Sequence, residues 1–104
     1  MKQTPCEYIV WYGLPYIRKE ISESLIHKHG LSLSETAKKL GISVAAVSQY
    51  LSGKRGKLNV SNNDILEEIN KSAERIIQMG DKVVVAETCR LCKILITKKI
   101  FTFK

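Results

Sequence analysis

A chain of 104 residues can bury one modest hydrophobic core and is too short for two. Its composition, 44% hydrophobic and 26% charged with six glycines and two prolines, excludes a fibrous or disordered polymer, and no apolar run reaches the roughly 18–20 residues of a membrane span. Seventeen basic against ten acidic residues leave a net charge of +7, which favours a polyanionic partner, nucleic acid before an anionic membrane surface. The polar start Met1-Lys2-Gln3-Thr4 offers no signal-peptide core, so the expected location is cytoplasmic.

Thr4-Pro5-Cys6-Glu7 has the form of a capping box with proline in the first turn, and predicts a helix from near Pro5. Ile9, Val10, Leu14, Ile17, Ile21 and Leu25 then recur near helical spacing up to Gly30, with Gly13 and Pro15 expected to kink or divide the run. Ser32-Leu33-Ser34-Glu35 is a second capping box, opening a short helix with Leu33, Ala37 and Leu40 inward and Gly41 at its end. Ser43 caps a third helix, reaching about Ser52, whose inward side is read as Val44, Val47 and Leu51. Gly53 ends it, and Lys54-Arg55-Gly56-Lys57 follows as an exposed basic loop. From Asn62 or Asn63 a fourth helix carries Ile65, Leu66, Ile69, Ala73, Ile76 and Ile77 to Gly80. Beyond Asp81, Val83-Val84-Val85 favours a strand, while Glu87 to Ile96 suits a short helix or a second strand; helix is the reading adopted. The expectation is a compact, mainly all-α bundle forming one domain over 1–104, ending in a short helix or strand segment.

Two helices crossing over a tight turn need a small residue at their contact, a turn residue tolerant of positive φ, and apolar anchors. Ala37, Gly41 and Val47, supported by Leu40, Ile42 and Leu51, meet those needs in order, which marks a helix-turn-helix over about 32–53. The stretch Leu33 to Ser43 followed by Val47 to Gly53 resembles the Cro and phage-repressor class of transcriptional regulators. That resemblance implies that the second helix enters the major groove with Ser43, Val44, Ala45, Ser48, Gln49 and Ser52 toward base edges. Gln49 can bond N6 and N7 of an adenine, and Val44 or Ala45 can meet a thymine methyl. Lys38, Lys39, Lys54, Arg55 and Lys57 would then lie near phosphates, positioning the protein without reading sequence. The plainer alternative is that these are solvated polar positions on an amphipathic helix and its flanks.

The same class implies a two-fold dimer on double-stranded DNA. Its interface would come from the fourth helix, through the apolar stripe Ile65 to Ile77, or from the segment 81–104 with Ile94, Leu95, Ile96, Phe101 and Phe103. Completion of the monomer core is an equally good use of both.

Three cysteines, Cys6, Cys89 and Cys92, include a C-x-x-C pair whose spacing lets two thiolates converge on a zinc ion or an iron–sulfur cluster. A tetrahedral zinc needs a fourth ligand such as His27 or His29. Buried thiols and a Cys89–Cys92 disulfide are competing uses. Pro5 to Glu7, Ala46 to Gly56 and Glu87 to Cys92 together resemble small archaeal predicted transcriptional regulators, a likeness that spans nearly the whole chain and implies a redox or iron–sulfur role for the cysteines.

Other function classes find less support. There is no Gly-rich phosphate loop, acid/base cluster or nucleophile motif, so no enzyme is expected. A protein–protein adaptor or RNA-associated factor is the alternative use of the same helices. RNA recognition usually exposes aromatic rings, and Tyr8, Trp11, Tyr12 and Tyr16 cluster where core packing explains them. Tyr50, in the third helix, either joins the core or reaches a phosphate.

Overall fold

The computed structural model describes residues 13–52 and 63–98, and every regular element among them is helical. The expected helix start near Pro5, the basic loop at Lys54 to Lys57, and Cys6, Phe101 and Phe103 lie outside the described residues.

Helix α1 spans Leu14–Glu23, with Pro15 in its first turn, where a missing N–H leaves no hydrogen bond unmade. Gly13 just before it is itself helical in conformation, at φ −70° and ψ −48°. The helix does not end at Glu23 but widens into a π-helical turn, Ser24–Lys28, which periodicity gave no reason to expect. Gly30, at φ +72°, then turns the chain. Its amide and that of Leu31 donate to the carbonyls of Ile26 and Leu25 at 3.2 and 3.0 Å. Ile17, Ile21 and Leu25, four residues apart, are fully buried along the inner face.

Helix α2 is Leu33–Leu40 and α3 is Val44–Leu51, joined across Gly41 in the left-handed conformation at φ +68°. Helix α4, Asn63–Met79, buries Ile65, Ile69, Ala73 and Ile76 against α1. Gly80 and a 3-10 turn, Asp81–Val83, reverse the chain into α5, Val84–Lys98. The strand signal of Val83 to Val85 is therefore overruled. Leu91 and Leu95, fully buried at helical spacing, close the core against α1 and α4, and that packing outweighs the β preference of three valines.

Helix α5 is held on α4 by a polar cluster as well as by apolar contact. The Glu87 carboxylate accepts bonds from Ser72 Oγ at 2.8 Å, Arg75 Nη1 at 3.0 Å and Arg90 Nε at 3.2 Å. Arg90 reaches on to Glu68 Oε2 at 3.0 Å, the Glu68 carbonyl at 3.1 Å and Ser72 Oγ at 2.7 Å. Burial pushes the Glu87 carboxyl up, yet the bonds from Ser72, Arg75 and Arg90 outweigh it and hold the group below its ordinary range. Arg90 does the same for Glu68.

Most of the α4 stripe is thus spent on the core of the chain, while Leu66, expected in it, is 42% exposed. Ile65, Ile69, Ala73 and Ile76 are buried within the single chain. What α5 leaves outside is a different set, Val85, Cys89 and Ile96, while Cys92 is partly buried against the core. Val85 is 74% exposed and Ile96 42%.

Candidate nucleic-acid interface

Both helices of the 32–52 unit begin on a serine cap. Ser32 Oγ accepts from the Glu35 amide at 3.1 Å while Glu35 Oε1 accepts from the Ser32 amide at 3.0 Å, so the capping box is complete. Those two bonds hold the exposed Glu35 carboxyl below its ordinary range. Ser43 Oγ accepts from the Ala46 amide at 3.0 Å and starts α3. Between the caps, the Ile42 amide donates to the Ala37 carbonyl at 3.1 Å, closing α2 over Gly41.

The inner faces differ from the sequence expectation in two places. Helix α2 buries Thr36, Ala37 and Leu40, and Leu33 is 41% exposed. Helix α3 buries Val47 and Tyr50, while Val44 is 45% exposed and Leu51 half-buried. Tyr50, three residues after Val47, belongs to the anchoring face that packs toward α1. In helices of two turns, Leu33 and Val44 share their spacing with residues that really are inward, and periodicity alone cannot separate them.

With Val47 and Tyr50 inward, the residues expected at base edges turn out together. Ser43, Val44, Ala45, Ser48 and Ser52 are exposed and Gln49 is half-buried. The two flanking serines are partly committed: Ser43 Oγ caps the helix, and Ser52 Oγ donates to the Gln49 carbonyl at 3.1 Å. The side chains of Ser48 and Gln49 make no hydrogen bond to another described residue. Of the phosphate candidates, Lys38 is exposed and Lys39 half-exposed, and with Glu35, Gly80 and Asp81 they line an open cavity of about 380 Å³. Lys54, Arg55 and Lys57 lie outside the described residues.

Cys89 and Cys92 occupy successive turns of α5, Cys89 exposed and Cys92 half-buried. Burial pushes the Cys92 thiol up to about 11, with the neighbouring Cys89 adding to the shift and Arg18 partly offsetting it. Among the described residues no three His, Cys, Asp or Glu side chains are grouped to hold a metal ion, so neither His27 nor His29 joins the pair. A third ligand from Cys6 would come from outside them.

A capped, left-handed-turn helix pair with an anchored second helix and an unspent outer face is the geometry of a helix-turn-helix. Residues 21–62 match the family model for the helix-turn-helix. The match runs from within α1 through α2 and α3, and supports reading this part of the chain as a DNA-binding helix-turn-helix. No curated protein and no solved structure matches the chain. No helix among the described residues is long and apolar enough to cross a membrane.

Proposed function

We propose that the chain is a cytoplasmic, sequence-specific transcription regulator that binds a two-fold DNA operator as a homodimer. The observation that carries this reading is the outer face of α3: a helix anchored by Val47 and Tyr50 carries Ser48, exposed, and Gln49, half-buried, whose side chains have no hydrogen-bond partner among the described residues, inside the matched helix-turn-helix. Gln49 reads adenine through N6 and N7, and Ser48 bonds an adjacent base of either type. Ser43, Val44, Ala45 and Ser52 flank them, and Lys38, Lys39, Lys54, Arg55 and Lys57 bind phosphates. The net charge of +7 supports that role.

The dimer reading rests on the outer stripe of α5. Val85, Cys89 and Ile96 are exposed on the side of the helix away from Leu91 and Leu95, and a second copy would cover them. Sedimentation showing monomer alone at high micromolar concentration, with and without DNA, would remove it. Control through zinc or an iron–sulfur cluster at Cys6, Cys89 and Cys92 is supported by the placement of Cys89 and Cys92 one turn apart. Anaerobically purified protein without iron, sulfide or zinc, and DNA binding unchanged in Cys92→Ser, would count against it.

The deciding experiment is selection of duplexes from a randomised pool at fixed near-physiological salt, followed by anisotropy with the wild type and Gln49→Ala. An enriched two-fold motif, with discrimination weakened by about 1–3 kcal/mol in the variant, is expected. No enrichment under aerobic or anaerobic conditions would mean that the helix pair serves a protein or RNA partner, or binds duplex without reading it. The salt dependence separates these, because duplex binding falls steeply with salt and an adaptor's does not.

A further inference from the structure

We infer that Cys89 and Cys92 are half of a zinc site: two copies of the chain, packed antiparallel through α5, hold one tetrahedral ion between four thiolates. The inference rests on the readings of a homodimer and of a metal at the cysteines, and names a ligand set that is complete without Cys6.

The pair alone cannot complete the site. A structural zinc takes four ligands, and among the described residues no third His, Cys, Asp or Glu side chain is grouped with Cys89 and Cys92. On the regular helix α5 the two free thiols stand about 60° apart around the axis, with Cβ atoms about 5–6 Å apart, so both sulfurs can reach one ion at about 2.3 Å. Cys89 is exposed, so an ion held there keeps its remaining positions open to solvent. Zinc deprotonates the thiols that coordinate it, and the protons pass to water.

The surroundings of the pair suit a second copy. Val85 lies four residues before Cys89 and Ile96 four residues after Cys92, and both fall within the same arc of the helix. The set is symmetric about the midpoint of the pair. A two-fold axis through that midpoint gathers the four sulfurs and sets the exposed Val85 of each copy against Ile96 of the other. Charge points the same way. Exposed Lys93 follows Cys92, and Arg18 of α1 lies near enough to Cys92 to favour its thiolate. Glu87, the sole acidic residue of α5, is turned toward α4 by its bonds from Ser72 and Arg75. Two such basic faces repel as they approach, and a dianionic zinc tetrathiolate between them offsets that repulsion.

The test uses full-length protein, reduced and stripped of metal, titrated with zinc and with cobalt(II) as the spectroscopic probe. The expected result is about one ion per two chains, the absorption of tetrahedral tetrathiolate cobalt, and a dimer dissociation constant lowered at least about tenfold by zinc in sedimentation. Cys89→Ser should abolish all three. Because Cys89 is exposed, that variant should melt with metal-free wild type, which a thermal scan checks. Cys6→Ser should keep all three. One ion per chain in a monomer, lost in Cys6→Ser, would overturn the shared site while leaving the metal reading intact. A dimer on the operator that takes up neither ion would overturn the zinc site while leaving the dimeric regulator intact. Monomer alone, with neither ion taken up, would overturn both readings.

Discussion

The α2–α3 pair and the α4–α5 hairpin are both helix–turn–helix connections through a glycine of positive φ, at Gly41 and Gly80, yet they are stabilised in opposite ways. The α2–α3 helices are two turns each, start on serine caps and give the main hydrophobic cluster only Leu40. The α4–α5 helices supply Ile65, Ile69, Ala73, Ile76, Leu91 and Leu95 to that cluster and add the Glu87–Arg90 network. The difference shows a division of labour. The hairpin, with α1, forms a platform, and the short pair is mounted on it with most of its surface left for a partner.

The sharpest way to break that contrast is to remove a side chain from the platform. Leu91→Ala, at a fully buried position, should cost about 2–5 kcal/mol and lower the melting temperature of the whole chain. Val44→Ala, in the mounted pair, should lie within about 0.5 kcal/mol of wild type by denaturant titration. Equal losses at the two positions would show that Val44 is structural and that the division is wrong.

Arg90→Ala comes next. It leaves Glu87 and Glu68 without the guanidinium that bridges them, and a part-buried carboxylate deprived of a partner costs about 1–3 kcal/mol. The lower end is expected, because the Arg90 side chain is 31% exposed and water can replace some of its bonds. Ser32→Ala and Ser43→Ala follow at about 1 kcal/mol each, by loss of a cap. Hydrogen exchange separates the two cases. The caps should loosen α2 or α3 locally, whereas Arg90→Ala should raise exchange along α5.

The same contrast explains which parts could be read from sequence. Serine caps, Gly41 and the anchor Val47 are local devices: each acts within a few residues, so the helix pair was legible as a motif, and its outer residues Ser48 and Gln49 with it. The role of Leu33 was not, because in an eight-residue helix the choice between Leu33 and Thr36 as the inward residue depends on what lies beneath. Thr36 is fully buried although polar. The helix over Val83 to Val85 was equally hidden. Three valines carry a strand preference, and only packing of Leu91 and Leu95 on α1 and α4 overrides it. Glu87 and Arg90 read as ordinary surface charges until Ser72, Arg75 and Glu68 are brought opposite them from α4.

The smallest effect expected is also the one that ties the platform to pH. Glu87 has a folded-state pKa below its ordinary 4.5, so its bonds add stability in full above that value and lose it as pH falls through the lower, folded-state value. Wild-type protein should therefore lose melting temperature on acidification below about 4.5, in part through this group. Glu87→Gln should melt lower at neutral pH, having already given up the charge-assisted bonds to Arg75 and Arg90, and should show a shallower acid limb. Glu35 in the mounted pair is shifted in the same direction, but its carboxyl is fully exposed and caps only one short helix. Glu35→Gln should accordingly leave the acid limb close to that of wild type. If the two variants flatten the curve equally, the Glu87 cluster does no more for the hairpin than a surface cap does for α2, and the platform is held by its apolar contacts alone.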